Sequence, residues 1–184
     1  KKHATAVAAN GRKLDVAIAE EAWKLAEEAR KPIRCLVYCN SRDVAEKVRV
    51  ALAKHGKKEV ETELLVGARR VWERVKAAER LQELGFLAES GVELKKHAFL
   101  VATSAGEVGV DLDADHMVCD LAPWERMVQR LGRVNRRGEG DARIVFVHEG
   151  EPKPKKPDAP KPEEERAVIA WRSLALLGWL PGNK

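Results

Sequence analysis

Short apolar runs alternate along this chain with segments whose apolar residues recur every three or four positions, a pattern that predicts strands and helices in turn. Residues 12 to 30 place Leu14, Ile18, Leu25 and Ala29 on one helical face between charged residues, and Pro32 ends that helix. Ile33 to Cys39 is a near-continuous apolar run of strand length, as expected where helices cover both faces of a parallel sheet. Ser41 is the expected N-cap of the next helix, Val44, Val48 and Leu52 its stripe, and Gly56 its stop. Glu63 to Val66 predicts a short strand, Val71, Val75, Ala78 and Leu81 a helix stripe, and Gly85 its end, before a loop around Gly91. Ala98 to Ala102 and Met117 to Leu121 are two further buried strands with a Gly- and Asp-rich loop between them. Pro123 and Trp124 open a helix with Met127, Leu131 and Val134 facing inward, and Arg143 to Val147 closes the series. Strands alternating with helices at such short intervals predict an α/β domain with a largely parallel sheet flanked by helices.

The pattern lapses between Glu151 and Pro162, where five prolines and four lysines in twelve residues cannot bury a core. This predicts three parts: a domain over residues 1–150, a loop or linker over 151–162, and a C-terminal helix over 163–184, with Val168, Trp171 and Leu174 on its apolar side and Gly178 as its cap. No internal repeat is present. At 184 residues and 45% apolar content the chain can build one sizeable core. A net charge of +5, from 34 basic and 29 acidic residues, favours a polyanionic partner only mildly. Cys35, Cys39 and Cys119 form no even disulfide framework, and Cys35 and Cys39, four apart on a strand, are too distant for one bridge or one metal, so all three are expected to be core thiols in a reducing compartment. No apolar run reaches membrane-spanning length and no signal peptide opens the chain, so a cytoplasmic protein without a membrane partner is expected. The start at Lys1 rather than at a methionine suggests a fragment or a processed chain.

The most specific chemistry lies in Gln129 to Gly138, QRLGRVNRRG. A helix carried through this segment would put Gln129, Arg133 and Arg136 on one face, opposite the apolar stripe, with Gly132 allowing close approach of another group. Val101 to Asp115 follows a buried strand at the end where open α/β sheets bind ligands. There Thr103 and Ser104 can donate to a phosphate, Gly106 and Gly109 allow tight backbone geometry, and Asp111 can orient an arginine or a ribose hydroxyl. Asn40 to Asp43 and Gly67 to Arg70 stand at two further strand ends. Together the four segments predict one polar, positively charged edge, where each alone would pass for a cap or a solvated basic turn.

Gln129 to Arg136 resembles the QxxGRxxR sixth motif of superfamily 2 helicases, Thr103 to Asp111 their fifth with Glu107, Gly109 and Asp111 in register, and Leu36 to Val48 their fourth. The resemblance covers about residues 33 to 148 and implies the second RecA-like domain of such a motor. VATSAGEVGVDLDAD followed by DLAPWERMVQRLGRVNRRG is most similar to the CRISPR-associated helicase-nuclease of type I interference systems. Arg69 and Arg74 would be counterparts of that family's loop after the second strand, although GARRVWER departs from its usual form.

The resemblance implies an ATP-dependent helicase of defence against foreign DNA, with ATP and Mg bound mainly by a first RecA-like lobe that this sequence lacks. Arg133 and Arg136 would act on the γ-phosphate, Gln129 would sense nucleotide, and Gly109 and Asp111 would belong to the same cofactor site. Ser41, Arg42, Arg69 and Thr103 would hold the phosphates of single-stranded DNA, with RNA kept open as the other polymer. The implied partners are the first lobe, a His-Asp nuclease domain and a CRISPR surveillance complex. No G-x-x-x-x-G-K-[ST], no DExH or DEAD box and no His-Asp dipeptide occurs in the chain, so alone it is expected to be inactive. The competing readings are a lobe of another DExH helicase, of repair or restriction, and a non-catalytic nucleic-acid-binding module.

Overall fold

In the computed structural model six parallel strands form one sheet, β1 (Lys2–Ala8), β2 (Arg34–Tyr38), β3 (Val60–Leu65), β4 (His97–Ala102), β5 (His116–Asp120) and β6 (Ala142–His148), in the order β1-β6-β5-β2-β4-β3. The structure describes residues 1–67, 71–87, 91–104, 110–138, 140–153 and 161–179. Among the described residues five α-helices accompany the strands: α1 (Leu14–Glu27), α2 (Arg42–Gly56), α3 (Val71–Glu83), α4 (Trp124–Leu131) and α5 (Pro162–Arg172), the last continuing as a 3-10 turn over Ser173–Trp179. The predicted α/β architecture and its parallel sheet are thus present.

Connections from β1 and β2 run one way across the sheet and those from β3, β4 and β5 the other, and right-handed crossovers then put their helices on opposite faces. Two cores follow. Cys35, Val37 and Cys39 of β2 pack with Ile18, Leu25, Val48 and Leu52 of α1 and α2, whereas Leu36 and Tyr38 pack with Met117, Met127 and Leu131 on the α4 side. This two-sided burial explains why β2 reads as an unbroken apolar run. The three cysteines are buried free thiols, and burial pushes the thiols of Cys35 and Cys39 up.

Several expected boundaries move. β1 was not foreseen: it is an edge strand whose residues are mostly exposed or half-buried, so it offers little apolar signal, and it forms only by pairing with β6. β3 begins at Val60, three residues before the predicted start, because the pairing with β4 runs from Val60 opposite His97. On α3 it is Ala77 that turns inward and Ala78 that is exposed, since the buried face continues through Leu81 and Leu84; the side chains of Val71 and Val75 lie outside the described residues. Gly85 ends α3 with φ +72°, and Phe86 and Gly85 donate back to the carbonyls of Leu81 and Gln82 at 2.9 and 3.0 Å, the paired bonds of a Schellman cap. Gly56 serves differently: a Cβ there would come within 2.1 Å of a Val60 methyl, so glycine is needed for close packing of α2 against β3.

The C-terminal segment packs back on the sheet. Trp171 of α5 meets His148 edge-on at 5.1 Å, and Leu177 joins the core that includes Ala4 of β1. Most of the Pro- and Lys-rich stretch, residues 154–160, lies outside the described residues. Among the described residues no helix is long and apolar enough to cross a membrane.

Candidate functional site

The helix expected to carry the sixth-motif residues stops early. α4 ends at Leu131, and Gly132 is its C-cap with ordinary right-handed geometry. Arg133 and Arg136 therefore lie beyond the helix, in turns closed by Asn135 at φ +44°, a conformation asparagine tolerates better than most residues. The expected common helical face of Gln129, Arg133 and Arg136 does not exist. The chain leaves the helix because the segment pairs with residues ahead of β5: Ala114 donates to the Arg133 carbonyl at 3.1 Å and Asn135 to the Ala114 carbonyl at 2.8 Å. Gln129 itself is exposed on α4.

This turn brings the two arginines together by another route. Arg133 Nη1 lies 3.4 Å from Asp111 Oδ1, and Arg136 Nη1 forms an ion pair with the same oxygen. The backbone N–H of Arg136 donates to Asp113 Oδ1 at 3.1 Å. Lys2, not singled out from the sequence, completes the cluster: its Nζ donates to the Leu131 carbonyl at 2.7 Å, a cation on the open end of α4. Partial burial lowers the Lys2 pKa, Asp113 opposes that shift and the charge of Arg136 adds to it. The Asp111 side chain is 64% exposed, so both guanidinium groups are held by a carboxylate still open to water.

The expected single polar edge is in fact two. Ser41, Arg42 and Thr103 stand at the carboxyl ends of the neighbouring strands β2 and β4, while Asp111, Arg133 and Arg136 lie beside the amino end of β5. A five-residue strand separates the two edges by about 16 Å. A βα unit must do this, because α4 runs antiparallel to the strand it follows and delivers its C-terminus to the opposite edge. At the carboxyl edge Ser41 caps α2 by accepting from the Val44 N–H at 3.3 Å. Arg42 is exposed and paired with Glu46 at 2.8 Å, and Thr103 donates its N–H to Leu65 at 3.1 Å. Arg69, Gly106, Glu107 and Gly109 lie outside the described residues, as does the side chain of Arg74.

The most buried charge in the region was also missed. Arg130 is fully buried, with Nη1 donating to the Asp120 carbonyl at 3.1 Å and to Asp120 Oδ1 at 3.3 Å, and Nη2 donating to Asn40 Oδ1 at 3.0 Å. Its guanidinium carbon sits 5.0 Å from the Tyr38 ring centroid. Asn40 donates its backbone N–H to Asp120 Oδ2 at 2.6 Å and its side-chain amide to the Leu121 carbonyl at 2.5 Å. Burial pushes the Asp120 carboxyl up to about 6, and the neighbouring Arg130 charge and the Asn40 N–H counter it only in part. The sequence held a signal for this group: Asp120 stands at the end of an apolar strand, and Arg130 falls within the apolar stripe of Met127, Leu131 and Val134.

The donor set fits a phosphate better than a metal. Two arginines and a lysine converge beside a displaceable carboxylate, whereas among the described residues no group of three or more His, Cys, Asp and Glu side chains could hold a metal ion. Arg133, Arg136 and Lys2 could therefore face the phosphates of a nucleotide seated on another surface.

Comparison with known proteins bears on the fold and the family. A curated CRISPR-associated nuclease/helicase Cas3 of Myxococcus xanthus (strain DK1622) is 39% identical over 64 residues, which are 35% of this chain and 9% of that protein. The structure of T. fusca Cas3 with ATP superposes with a TM-score of 0.69 at 20% identity, covering 99% of this chain and 22% of that one. Domain 2 of the DEAD-box helicase Mss116p, bound to an RNA duplex, gives a TM-score of 0.58 at 14% identity over 79% of this chain and 54% of that one. These likenesses show a RecA-like fold, and the chain spans about a tenth of the curated relative and about a fifth of the T. fusca Cas3 chain. With residues 32–139 matched by the family model for the CRISPR-associated nuclease/helicase Cas3, C-terminal, the chain belongs to that family as a helicase C-terminal domain.

Proposed function

We propose that this chain is the second motor lobe of an ATP-dependent CRISPR interference helicase-nuclease, supplying Arg133 and Arg136 to ATP bound by a first lobe and gripping single-stranded DNA at its carboxyl edge. The observation that carries the reading is the convergence of Arg133 and Arg136 on the one exposed carboxylate of Asp111. Both guanidinium groups are thereby held near one point, and a γ-phosphate arriving there would replace Asp111 with a stronger acceptor. Two cations aimed where charge develops during phosphoryl transfer lower the barrier most when they are already in place. In the bound complex Mg and the triphosphate belong to the first lobe; this chain's part is to orient the arginines, with Lys2 holding the end of α4 and Asp113 the Arg136 backbone. Gln129, Gly109 and Asp111 complete the proposed nucleotide-facing set, and Ser41, Arg42, Arg69 and Thr103 the strand-facing one. A His-Asp nuclease domain and a CRISPR surveillance complex are the proposed partners of the whole protein. The separation of the two edges supports this division, because a motor must hold nucleotide and strand at different surfaces and link them.

The test is steady-state ATP turnover by the longer motor chain, with and without single-stranded DNA. Arg133→Ala and Arg136→Ala are each expected to lower stimulated turnover by on the order of a thousandfold, while ATP affinity and strand binding fall only severalfold. Arg133→Lys should not rescue it, since lysine keeps the charge but loses the planar fork of donors. Near-normal turnover by both alanine variants would remove the arginines from the reaction.

A further inference from the structure

We infer that Asn40 is a positioning residue that couples engagement of the strand at Ser41 and Arg42 to the placement of Arg133 and Arg136, acting through Asp120 and Arg130; the inference rests on the function proposed above. Asn40 directly precedes Ser41, the N-cap of α2, so any shift of that loop under a bound phosphate displaces Asn40 first. Three hydrogen bonds tie Asn40 to the neighbouring segment: its N–H to Asp120 at 2.6 Å, its amide to Leu121 at 2.5 Å, and its Oδ1 from Arg130 at 3.0 Å. The loop after β2 is thus fastened to both the end of β5 and the body of α4.

Burial makes the fastening stiff. The Arg130 side chain is 0% exposed and that of Asp120 5%. The bonds of this sealed guanidinium to Asn40 and Asp120 hold the loop after β2, the end of β5 and α4 together as one unit. The lower-energy response to a displaced Asn40 is for Arg130, and α4 with it, to follow. α4 has only eight residues, and Arg130 is its penultimate one, so the helix ends at the next residue, Leu131, and Gly132 leads directly into Arg133. The end of the helix that Arg130 anchors is therefore the end that carries, three residues on, the residue that meets Asp111. Asn40 itself is exposed, so its side chain can be changed without opening the core.

The experiment uses the longer motor chain and measures ATP turnover without strand, ATP turnover with a saturating oligothymidylate, and oligothymidylate Kd. Asn40→Ala is expected to leave strand-free turnover within about twofold and Kd within about threefold, while the ratio of stimulated to strand-free turnover falls about tenfold, inside the usual range of coupling between sites. Asn40→Asp keeps an acceptor for Arg130 but loses the amide donor to Leu121, and should restore part of the ratio; Asn40→Leu, which matches the volume without the acceptor, should not. A ratio within twofold of the unchanged motor for Asn40→Ala overturns the inference. So does a parallel tenfold loss of strand affinity, which would make Asn40 an ordinary strand contact, or a failure of Asn40→Asp to rescue. Arg133→Ala measured alongside separates the two claims: if it abolishes turnover while Asn40→Ala leaves the ratio intact, the arginine reading stands and the coupling falls. If it turns over normally, the coupling has no end point and falls with it.

Discussion

Arg130 and Arg133 stand three residues apart in one motif, yet the first is sealed inside the sheet's carboxyl edge and the second lies half-open at the amino edge. Arg130 has a buried carboxylate, a carbonyl, an amide oxygen and an aromatic face around it. Arg133 shares with Arg136 a single carboxylate that is mostly in water. The difference teaches that residue type does not assign the role. A guanidinium held by buried acceptors in the interior is committed to the fold, whereas one held by an exposed and replaceable acceptor can turn to a ligand.

Stability should separate the two most sharply. Arg130→Ala leaves the Asp120 charge buried without its partner and is expected to cost about 3–5 kcal/mol, whereas Arg133→Ala should cost less than about 1 kcal/mol. Urea melts of the 184-residue chain measure both, and equal losses would erase the distinction.

A smaller effect concerns pH. Most paired carboxylates are stabilising when ionised, but Asp120 titrates at about 6 in the folded chain because burial outweighs its partners, against about 4 when unfolded. Between those values the folded state holds a proton that the unfolded state has released, so this group's contribution is full below about pH 4 and is lost as pH rises through 6. The stability of the unchanged chain relative to Asp120→Asn should therefore grow, by on the order of 1 kcal/mol, as pH falls from about 7 to about 5. Thermal melts across that range would show the trend, and a margin that shrinks on acidification would mean that Asp120 behaves like an ordinary salt-bridged carboxylate.

The least effect on the fold belongs to Asp111. Its pairs with Arg133 and Arg136 are exposed, so Asp111→Asn should change stability by less than about 1 kcal/mol, and the change should vanish in molar salt. A loss as large as that of Arg130→Ala would place Asp111 among the structural charges of the carboxyl edge.

Much of the fold was legible because its signals are local. Ser41 caps α2 as its residue type suggests, Gly85 stops α3 with a positive φ, and the apolar run of β2 marks burial on both faces. β1 was missed because an edge strand with exposed side chains is made by its neighbour rather than by its own pattern. The sequence pattern overextends α4 because Val134 continues the apolar stripe past the helix end; Val134 is buried there by the bridge to Ala114, not by a further helical turn. The candidate arginines were legible as a motif, but Lys2 was not, since it reaches the site from the opposite end of the chain; Asp113 lies inside the Val101–Asp115 segment, and its bond to the Arg136 N–H depends on the turn after α4.

Residue types a few positions apart are enough to set the alternation of strands and helices, the buried character of the central strands and the two-arginine motif. Only the tertiary structure decided which edge of the sheet each motif occupies and which arginine is sealed. Those outcomes depend on strand order and on contacts such as Arg130 with Asn40, ninety positions apart, which no local pattern encodes.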